Sequence, residues 1–391
     1  MNTYSRQPIG FTHGNGVWLW STEGKKYLDG LAGIAVNTLG HNHPRLVKAI
    51  CEQAGQLIHT SNLYEVPLQQ KLAQRLCKLS GLQEAFFCNS GAEANEAAIK
   101  LARRFGHLNG EPNAKILVME RAWHGRTIAT LAATDSPKAK EGFGSLPSGF
   151  VRVPYNDWDA IQAAQSEHPE IKAILLEVLQ GEGGIHVAET EYLHQIRALS
   201  NTKNWLMMID EVQSGIARTG QWFGFQHAKI IPDVITLAKG LGSGVPIAAC
   251  LAGGKAYQVL TPGSHGTTFG GGPLVCTAAL ATLDAIEQEN LLVHALEMGD
   301  LIKKILTTRL QPIQNQITIR GIGLMLGIQL PVACAELVTL ARERGYLINV
   351  TREKVVRLLP PLIINTNEAS DLAETVAALI LEFMQKRSST S

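Results

Sequence analysis

Between residues 85 and 252, short apolar runs alternate with longer segments of helical periodicity, and this rhythm limits the possible folds more than any other feature. The runs fall at 85–88, 115–120, 150–154, 173–178, 205–210, 234–238 and 247–252, and most of their residues are apolar. Near-continuous hydrophobicity over such short spans suits strands covered on both faces, as in a mostly parallel sheet. Between several of them, segments such as 92–105 and 190–199 carry apolar residues at helical spacing. The alternation predicts an α/β fold built on one central sheet.

Past residue 273 the pattern changes. Helices are expected at 275–289, 296–309, 333–344 and 369–386, strands at 317–320 and 324–329, and a polar tail at 386–391. Residues 16–29 read as a hairpin, with Glu23-Gly24 at its turn, that packs on this second region. A chain of 391 residues exceeds the roughly 250–300 that one core usually serves, so two domains are expected. Residues 56–272 would form the large domain and 273–391 a small α+β domain to which 1–55 contributes.

Charge and cysteine usage narrow the function classes. With 35 basic and 34 acidic residues the net charge is +1, so no global field draws the chain to nucleic acid or an anionic membrane. No apolar run approaches the ~20 residues of a spanning helix. The N-terminus lacks the charged-then-apolar pattern of a secretory leader. The six cysteines are scattered without a C-x-x-C pair, which suits reduced thiols in the cytoplasm.

Three segments carry candidate chemistry. The run W-L-M-M-I-D-E delivers Asp210 to the end of a buried strand, where a carboxylate needs a cation or hydrogen-bond donors. In open α/β sheets ligands bind beyond the carboxyl ends of strands. Asp210 is placed either to meet a ligand cation or to cap the next turn. Lys239 closes the run V-I-T-L-A-K and is followed by Gly240, Gly242 and Gly244. An apolar approach disfavours the ammonium form and supplies neutral amine for Schiff-base formation; a lysine that snorkels to solvent is the alternative. Ser90 and Glu93 form an S-x-x-E capping box at the start of a helix. The same Ser90-Gly91-Ala92 turn offers free N–H groups to a phosphate.

Together the three segments suit pyridoxal 5′-phosphate (PLP), which needs an amine for its aldehyde, an acid for its ring nitrogen and an anion site for its phosphate. At ~4 Å and an effective dielectric of ~20, a carboxylate favours a cation by about 4 kcal/mol. That is roughly 3 pKa units, enough to bias a weakly basic pyridine nitrogen toward its protonated form.

The stretch D-E-V-Q-S-G-I-A-R-T-G at 210–220, followed by P-D-V-I-T-L-A-K-G-L at 232–241, resembles the signature of class III PLP-dependent aminotransferases. G-I-A-V-N-T-L-G-H-N-H-P at 33–44, H-T-S-N-L-Y at 59–64, C-N-S-G-A-E-A-N-E-A-A-I-K-L-A-R at 88–103, W-H-G-R-T at 123–127, Q-G-E-G-G at 180–184 and H-G-T-T-F-G-G at 265–271 extend the likeness over nearly the whole chain. The resemblance implies the fold of aspartate aminotransferase and a homodimer with active sites at the subunit interface. It makes Lys239 the Schiff-base lysine and proton shuttle, and sets Asp210 against the pyridinium nitrogen. Glu211, Val212 and Gln213 follow on the cofactor side, Gln213 toward the ring hydroxyl. Ser90, Gly91 and Ala92 hold the phosphate, and Trp123 stacks on the ring. Thr268 reaches the phosphate of the partner's cofactor, and Thr267 lies beside the substrate.

Arg126 and Arg357 become the clamps for substrate carboxylates, a task suited to the planar guanidinium fork. Glu177 is expected to pair with Arg357, holding it back while an amine far from an α-carboxylate reacts and opening for glutamate. Arg218 and Arg320 are read as solvated surface charges, and His124 has no assigned role. His41-Asn42-His43-Pro44 is read as a turn, without the companion ligands a zinc site needs.

The implied reaction moves the δ-amine of N2-acetyl-L-ornithine to 2-oxoglutarate. Ornithine, 4-aminobutyrate and N-succinyl-diaminopimelate are rival donors. Ile34 stands where ornithine-specific members carry Tyr, and the run at 91–96 looks less like 4-aminobutyrate enzymes. An intramolecular aminomutase of the glutamate-1-semialdehyde type is the rival from another reaction class.

Overall fold

The computed structural model describes residues 1–388; of the polar tail, residues 389–391 lie outside the described part. Every central apolar run forms a strand: β1 (Glu84–Cys88), β2 (Lys115–Met119), β3 (Phe150–Val153), β4 (Ile171–Leu176), β5 (Leu206–Asp210), β6 (Val234–Leu237) and β7 (Ala248–Ala252). They make one seven-stranded sheet in the order β1-β7-β6-β5-β4-β2-β3. Its members run parallel except β7, which is antiparallel to both β6 and β1. The mostly parallel α/β sheet expected from the sequence is therefore present.

Alternate residues of each strand serve opposite faces. Leu206 and Met208 of β5 join the apolar cluster that includes Ile99 and Leu101, whereas Met207 and Ile209 join the larger cluster with Leu193 and Ile196. Both faces are buried, which is why these strands read as unbroken apolar runs. The helix Gly91–Leu108 covers the first face, burying Ala94, Ala97, Ala98, Leu101 and Phe105. Thr190–Thr202 covers the other, burying Leu193 and Ile196.

Two further sheets come from the chain ends. Thr318–Ile322, Met325–Gln329, Val355–Leu358 and Asn349–Thr351 form an antiparallel sheet near the long helices Leu291–Arg309 and Thr366–Ser388. At the N-terminus Phe11–Asn15, Trp18–Ser21 and Lys26–Asp29 pair antiparallel, and Gly24 takes φ +80° at the expected turn. Lys26–Asp29 then pairs in parallel with Tyr346–Leu347, so the first hairpin is joined to the C-terminal region. The helix expected from 296 begins earlier, at Leu291, and the one expected at 333–344 is shorter, Glu336–Glu343. Helices Pro44–Ala54 and Pro67–Ser80, each opened by a proline at its first position, were not anticipated. Among the described residues no helix is long and apolar enough to cross a membrane.

Candidate active site

Strands β1, β4, β5 and β6 end on one edge of the sheet, and the residues just past those ends line a cavity of about 350 Å³. Asp210 ends β5, Glu177 follows β4, Lys239 lies two residues beyond β6, and Ser90 caps the helix after β1. This is the crevice outside the strand carboxyl ends that α/β folds use for ligands.

Asp210 is buried and held from three sides. Its Oδ2 accepts from Asn95 Nδ2 at 2.7 Å and from His124 Nδ1 at 2.8 Å, and its Oδ1 accepts from the Val212 N–H at 3.0 Å. Asn95 is itself fixed, since Thr236 Oγ1 donates to its Oδ1 at 2.7 Å. A carboxylate offers about four acceptor positions; three are filled, and the remaining one is free for a cation in the cavity. Neither His124 nor Asn95 was given a role from sequence. Asn95 sits four residues after Gly91, on the same helix face as the cavity, and that spacing was the available signal.

Lys239 reaches the cavity from a backbone that few side chains tolerate, with φ +43°. A non-glycine residue in this left-handed region costs about 1–2 kcal/mol, so the surroundings impose it. Burial pulls its pKa below the ordinary lysine value; Glu182 opposes that shift and Arg357 adds to it.

At the opposite wall Ser90 caps the helix Gly91–Leu108, accepting from the Glu93 N–H at 3.3 Å, while Glu93 Oε2 accepts from the Asn89 N–H at 2.9 Å. The first-turn N–H groups of Gly91 and Ala92 have no carbonyl within the helix to bond, and both residues line the cavity. A Cβ on Gly91 would stand 2.7 Å from Val212 Cγ1, so only glycine fits. Trp123 lines the cavity, and the exposed Arg126 lies over its ring at 4.8 Å. These features fit PLP: unpaired N–H groups for a phosphate, a spare carboxylate acceptor for a ring cation, an aromatic wall and an amine of depressed pKa.

The expected Glu177–Arg357 pair is not formed. Glu177 accepts from the Trp123 and Gly181 N–H groups, each at 2.9 Å, and burial pushes its carboxyl up to about 7, with Asp210 adding to the rise. Arg357 pairs instead with Glu182, Nη1 to Oε1 at 2.6 Å. It also donates to Asn349 Oδ1 at 2.9 Å and to Gln213 Oε1 at 3.2 Å. Burial works against the Glu182 carboxylate, yet the Arg357 and Lys239 cations hold its pKa below the ordinary value. The fully buried Arg357 keeps Nη2 without a partner. The physical reason lies in a small hairpin, Leu179–Gln180 with His186–Val187, whose tip carries Glu182 to the arginine. The flanking glycines of Q-G-E-G-G were the sequence signal for that tip.

Other placements also differ from expectation. Glu211 does not line the cavity; its carboxylate accepts from Ser214 Oγ at 2.6 Å and the Phe225 N–H at 2.9 Å. Arg218 is fully buried, not solvated, and donates to the carbonyls of Leu324 and Pro360. Arg320 is half-buried and donates to the carbonyls of Gly184 and Ile185. Asp210, Gln213, Val212, Lys239, Trp123, Glu177 and the Ser90–Ala92 turn all border the cavity. Thr267 Oγ1 accepts from Asn89 Nδ2 at 3.2 Å, and Thr268 is exposed; neither lines the cavity of its own chain. His41 Nε2 contacts Asp29 Oδ2 at 2.9 Å and His43 pairs with Glu289. Among the described residues no cluster suits a metal ion.

The sheet order and this set of residues define a PLP-dependent transaminase, and the chain belongs to the class-III aminotransferases, whose family model matches residues 2–380. Acetylornithine aminotransferase 1 of Bordetella parapertussis is 58% identical over 386 residues, covering 99% of this chain and 98% of that protein. The crystal structure of N-acetylornithine aminotransferase from Stenotrophomonas maltophilia superposes with a TM-score of 0.86 at 31% identity, covering 98% of this chain and 99% of that one. The ornithine aminotransferase of Toxoplasma gondii reaches a TM-score of 0.94, also at 31% identity, over 99% and 93% of the two chains.

Proposed function

We propose that the protein transfers the δ-amino group of N2-acetyl-L-ornithine to 2-oxoglutarate, giving N-acetyl-L-glutamate 5-semialdehyde and L-glutamate, as in arginine biosynthesis. The observation that carries this reading is the masking of Arg357 by Glu182 while Arg126 stays exposed. A donor whose reacting amine is remote from its α-carboxylate has no use for a carboxylate clamp beside the lysine; Arg126 would take its carboxylate at the cavity mouth. A dicarboxylic oxo acid would displace Glu182 and take Arg357 through the fork that already has one free arm. The 58% identity to acetylornithine aminotransferase 1 supports the same choice.

Bound PLP supplies the electron sink that lets the substrate's proton leave. The chain's own groups do the rest in this reading. Lys239 Nζ, its pKa drawn below the ordinary lysine value by burial, would hold the cofactor and carry the proton between positions. Asp210, fixed by Asn95 and His124, would offer its last acceptor position to the ring nitrogen. Gly91 and Ala92 would donate to the phosphate, and Gln213 would face the ring hydroxyl. Residues 56–272 serve as the cofactor-holding domain, with 1–55 and 273–391 forming the small domain.

A second copy completes the site. Leu63, Tyr64 and Phe269 are large apolar side chains left mostly exposed beside Thr267 and Thr268, and Asn62 ties that loop together by donating to the Thr267 and Gly270 carbonyls. A homodimer would cover them and bring Thr268 to the partner's cofactor. Free cysteines and small biosynthetic substrates support a cytoplasmic location.

The test is absorbance of the PLP-loaded protein mixed with N2-acetyl-L-ornithine, then with 2-oxoglutarate: the cofactor band should disappear and return. Higher kcat/KM for ornithine, 4-aminobutyrate or N-succinyl-diaminopimelate would overturn the donor assignment. Conversion of glutamate 1-semialdehyde without any oxo acid would favour the aminomutase. Lys239→Ala should abolish turnover while leaving circular dichroism unchanged; near-normal activity would overturn the whole scheme.

A further inference from the structure

Behind the Glu182 hairpin lies a second cavity, of about 270 Å³, with an unusual charge balance. Four cations line it from separate parts of the chain: Arg121 after β2, Arg320 from Thr318–Ile322, and Arg352 and Lys354 from the turn before Val355–Leu358. Their hydrogen bonds go to neutral acceptors. Arg320 donates to the Gly184 and Ile185 carbonyls and to Gln329, Arg352 to the Asp135 carbonyl, and Lys354 to the Pro331 carbonyl. Arg121 Nη1 lies 3.0 Å from His186 Nε2 and Arg320 Nη2 lies 3.4 Å from the same atom. The nearby carboxylate of Asp135 accepts from the Arg121 N–H and faces Arg152 at 3.9 Å.

Like charges gathered around one cavity repel, and the imidazole among them records it. Burial, with the Arg320, Arg121 and Arg352 cations, pushes His186 down to about 4. His186 is therefore neutral at physiological pH and serves as an acceptor for both guanidinium groups. Repulsion of this kind persists when something else compensates it, and a multiply charged anion does so with charge-assisted bonds.

We infer that this cavity is a binding site for a small multiply charged oxyanion, held by Arg121, Arg320, Arg352 and Lys354. Its volume accommodates an ion such as phosphate or a tricarboxylate. It is separate from the PLP cavity, with no lining residue in common. Yet Gly183 in its wall adjoins Glu182, and Val355 lies two residues before Arg357. An anion bound there bridges the two segments that carry the masking pair, and so has a direct route to substrate selection.

The test is calorimetric titration of inorganic phosphate, and separately of citrate, into the PLP-loaded protein, whose cofactor phosphate site is already filled. Chloride at matched ionic strength is the control. One saturable site per chain is expected for at least one ion, weakened roughly tenfold or more by Arg352→Glu, which places a carboxylate at the cavity, and also weakened by the milder pair Arg121→Gln and Lys354→Gln. Arg126→Ala should leave the titration unchanged, because that arginine lies at the substrate site and not in this cavity. Absence of saturable binding of both ions overturns the inference. So does binding that survives both cavity variants, or binding that is lost with Arg126→Ala.

Discussion

The pairing of Glu182 with Arg357 gives one side chain two opposite tasks at different moments. In the proposed reaction Glu182 would neutralise a buried guanidinium while the amine donor reacts, and would leave when the oxo acid enters. Removing one partner of a buried pair exposes the other to its full desolvation cost. Glu182→Ala should therefore strengthen Arg357 as a carboxylate site and raise the rate of the glutamate half-reaction relative to the acetylornithine half-reaction by roughly tenfold, a shift of about 1.4 kcal/mol. Stopped-flow rates of the two halves would show it, and an unchanged ratio would reject the gate. Glu177→Ala should not mimic that change, because Glu177 bonds to the Trp123 and Gly181 backbone.

Glu211 supports a prediction about pH. Burial raises its carboxyl from the ordinary 4.5 to about 7, against the opposing hydrogen bonds from Ser214 and the Gly224 and Phe225 N–H groups. The folded chain then keeps a proton that the unfolded chain has lost, so this group's contribution to stability falls as pH rises from 4.5 to about 7. Glu211→Gln lacks that slope. Urea midpoints should show the variant gaining on the wild type between pH 5 and pH 8 by about 1–3 kcal/mol; a constant difference would contradict the assignment. Which glutamate faces which arginine was not legible from the sequence. Glu177 and Glu182 lie only five residues apart past the same apolar strand, and only the hairpin geometry at 179–187 separates their partners. Lys239 and Asp210 were legible because each closes an apolar run, where a charge is costly without a purpose.

At the scale of elements, the central strands could be read because burial, on both faces for most of them, leaves few polar interruptions. The helices Pro44–Ala54 and Pro67–Ser80 were legible in principle, because each opens on a proline at its first position ahead of an amphipathic stripe. The hairpin bearing Glu182 has two-residue strands, too short to carry any periodicity. The start of Gly91–Leu108 was legible from its S-x-x-E pattern, and there the cap and the cofactor site coincide. Ser90→Ala removes the acceptor for the Glu93 N–H and should cost about 1 kcal/mol of stability. It should also weaken PLP retention, so dialysis against PLP-free buffer would deplete the variant faster than the wild type. Equal retention would separate the cap from the phosphate site.

For the whole molecule, assembly and activity should be linked. Phe269→Asp places a charge on the exposed apolar patch beside Thr268 and should shift sedimentation toward a single chain, with activity falling in proportion. A monomer of full activity would remove Thr268 from the site. The fold class was legible throughout this scale, whereas the burial of Arg218 was not. Its partners are the carbonyls of Leu324 and Pro360, more than a hundred residues along the chain.

The parallel pairing of Lys26–Asp29 with Tyr346–Leu347 has a consequence for synthesis. The hairpin leaves the ribosome roughly 320 residues ahead of the strand it pairs with, on the order of 15–60 s at ordinary elongation rates. Through that interval one edge of the N-terminal sheet has nothing to bond to. A chaperone that shields open strand edges should therefore raise the yield of this protein most when it acts on the nascent chain, and much less when it is added after release.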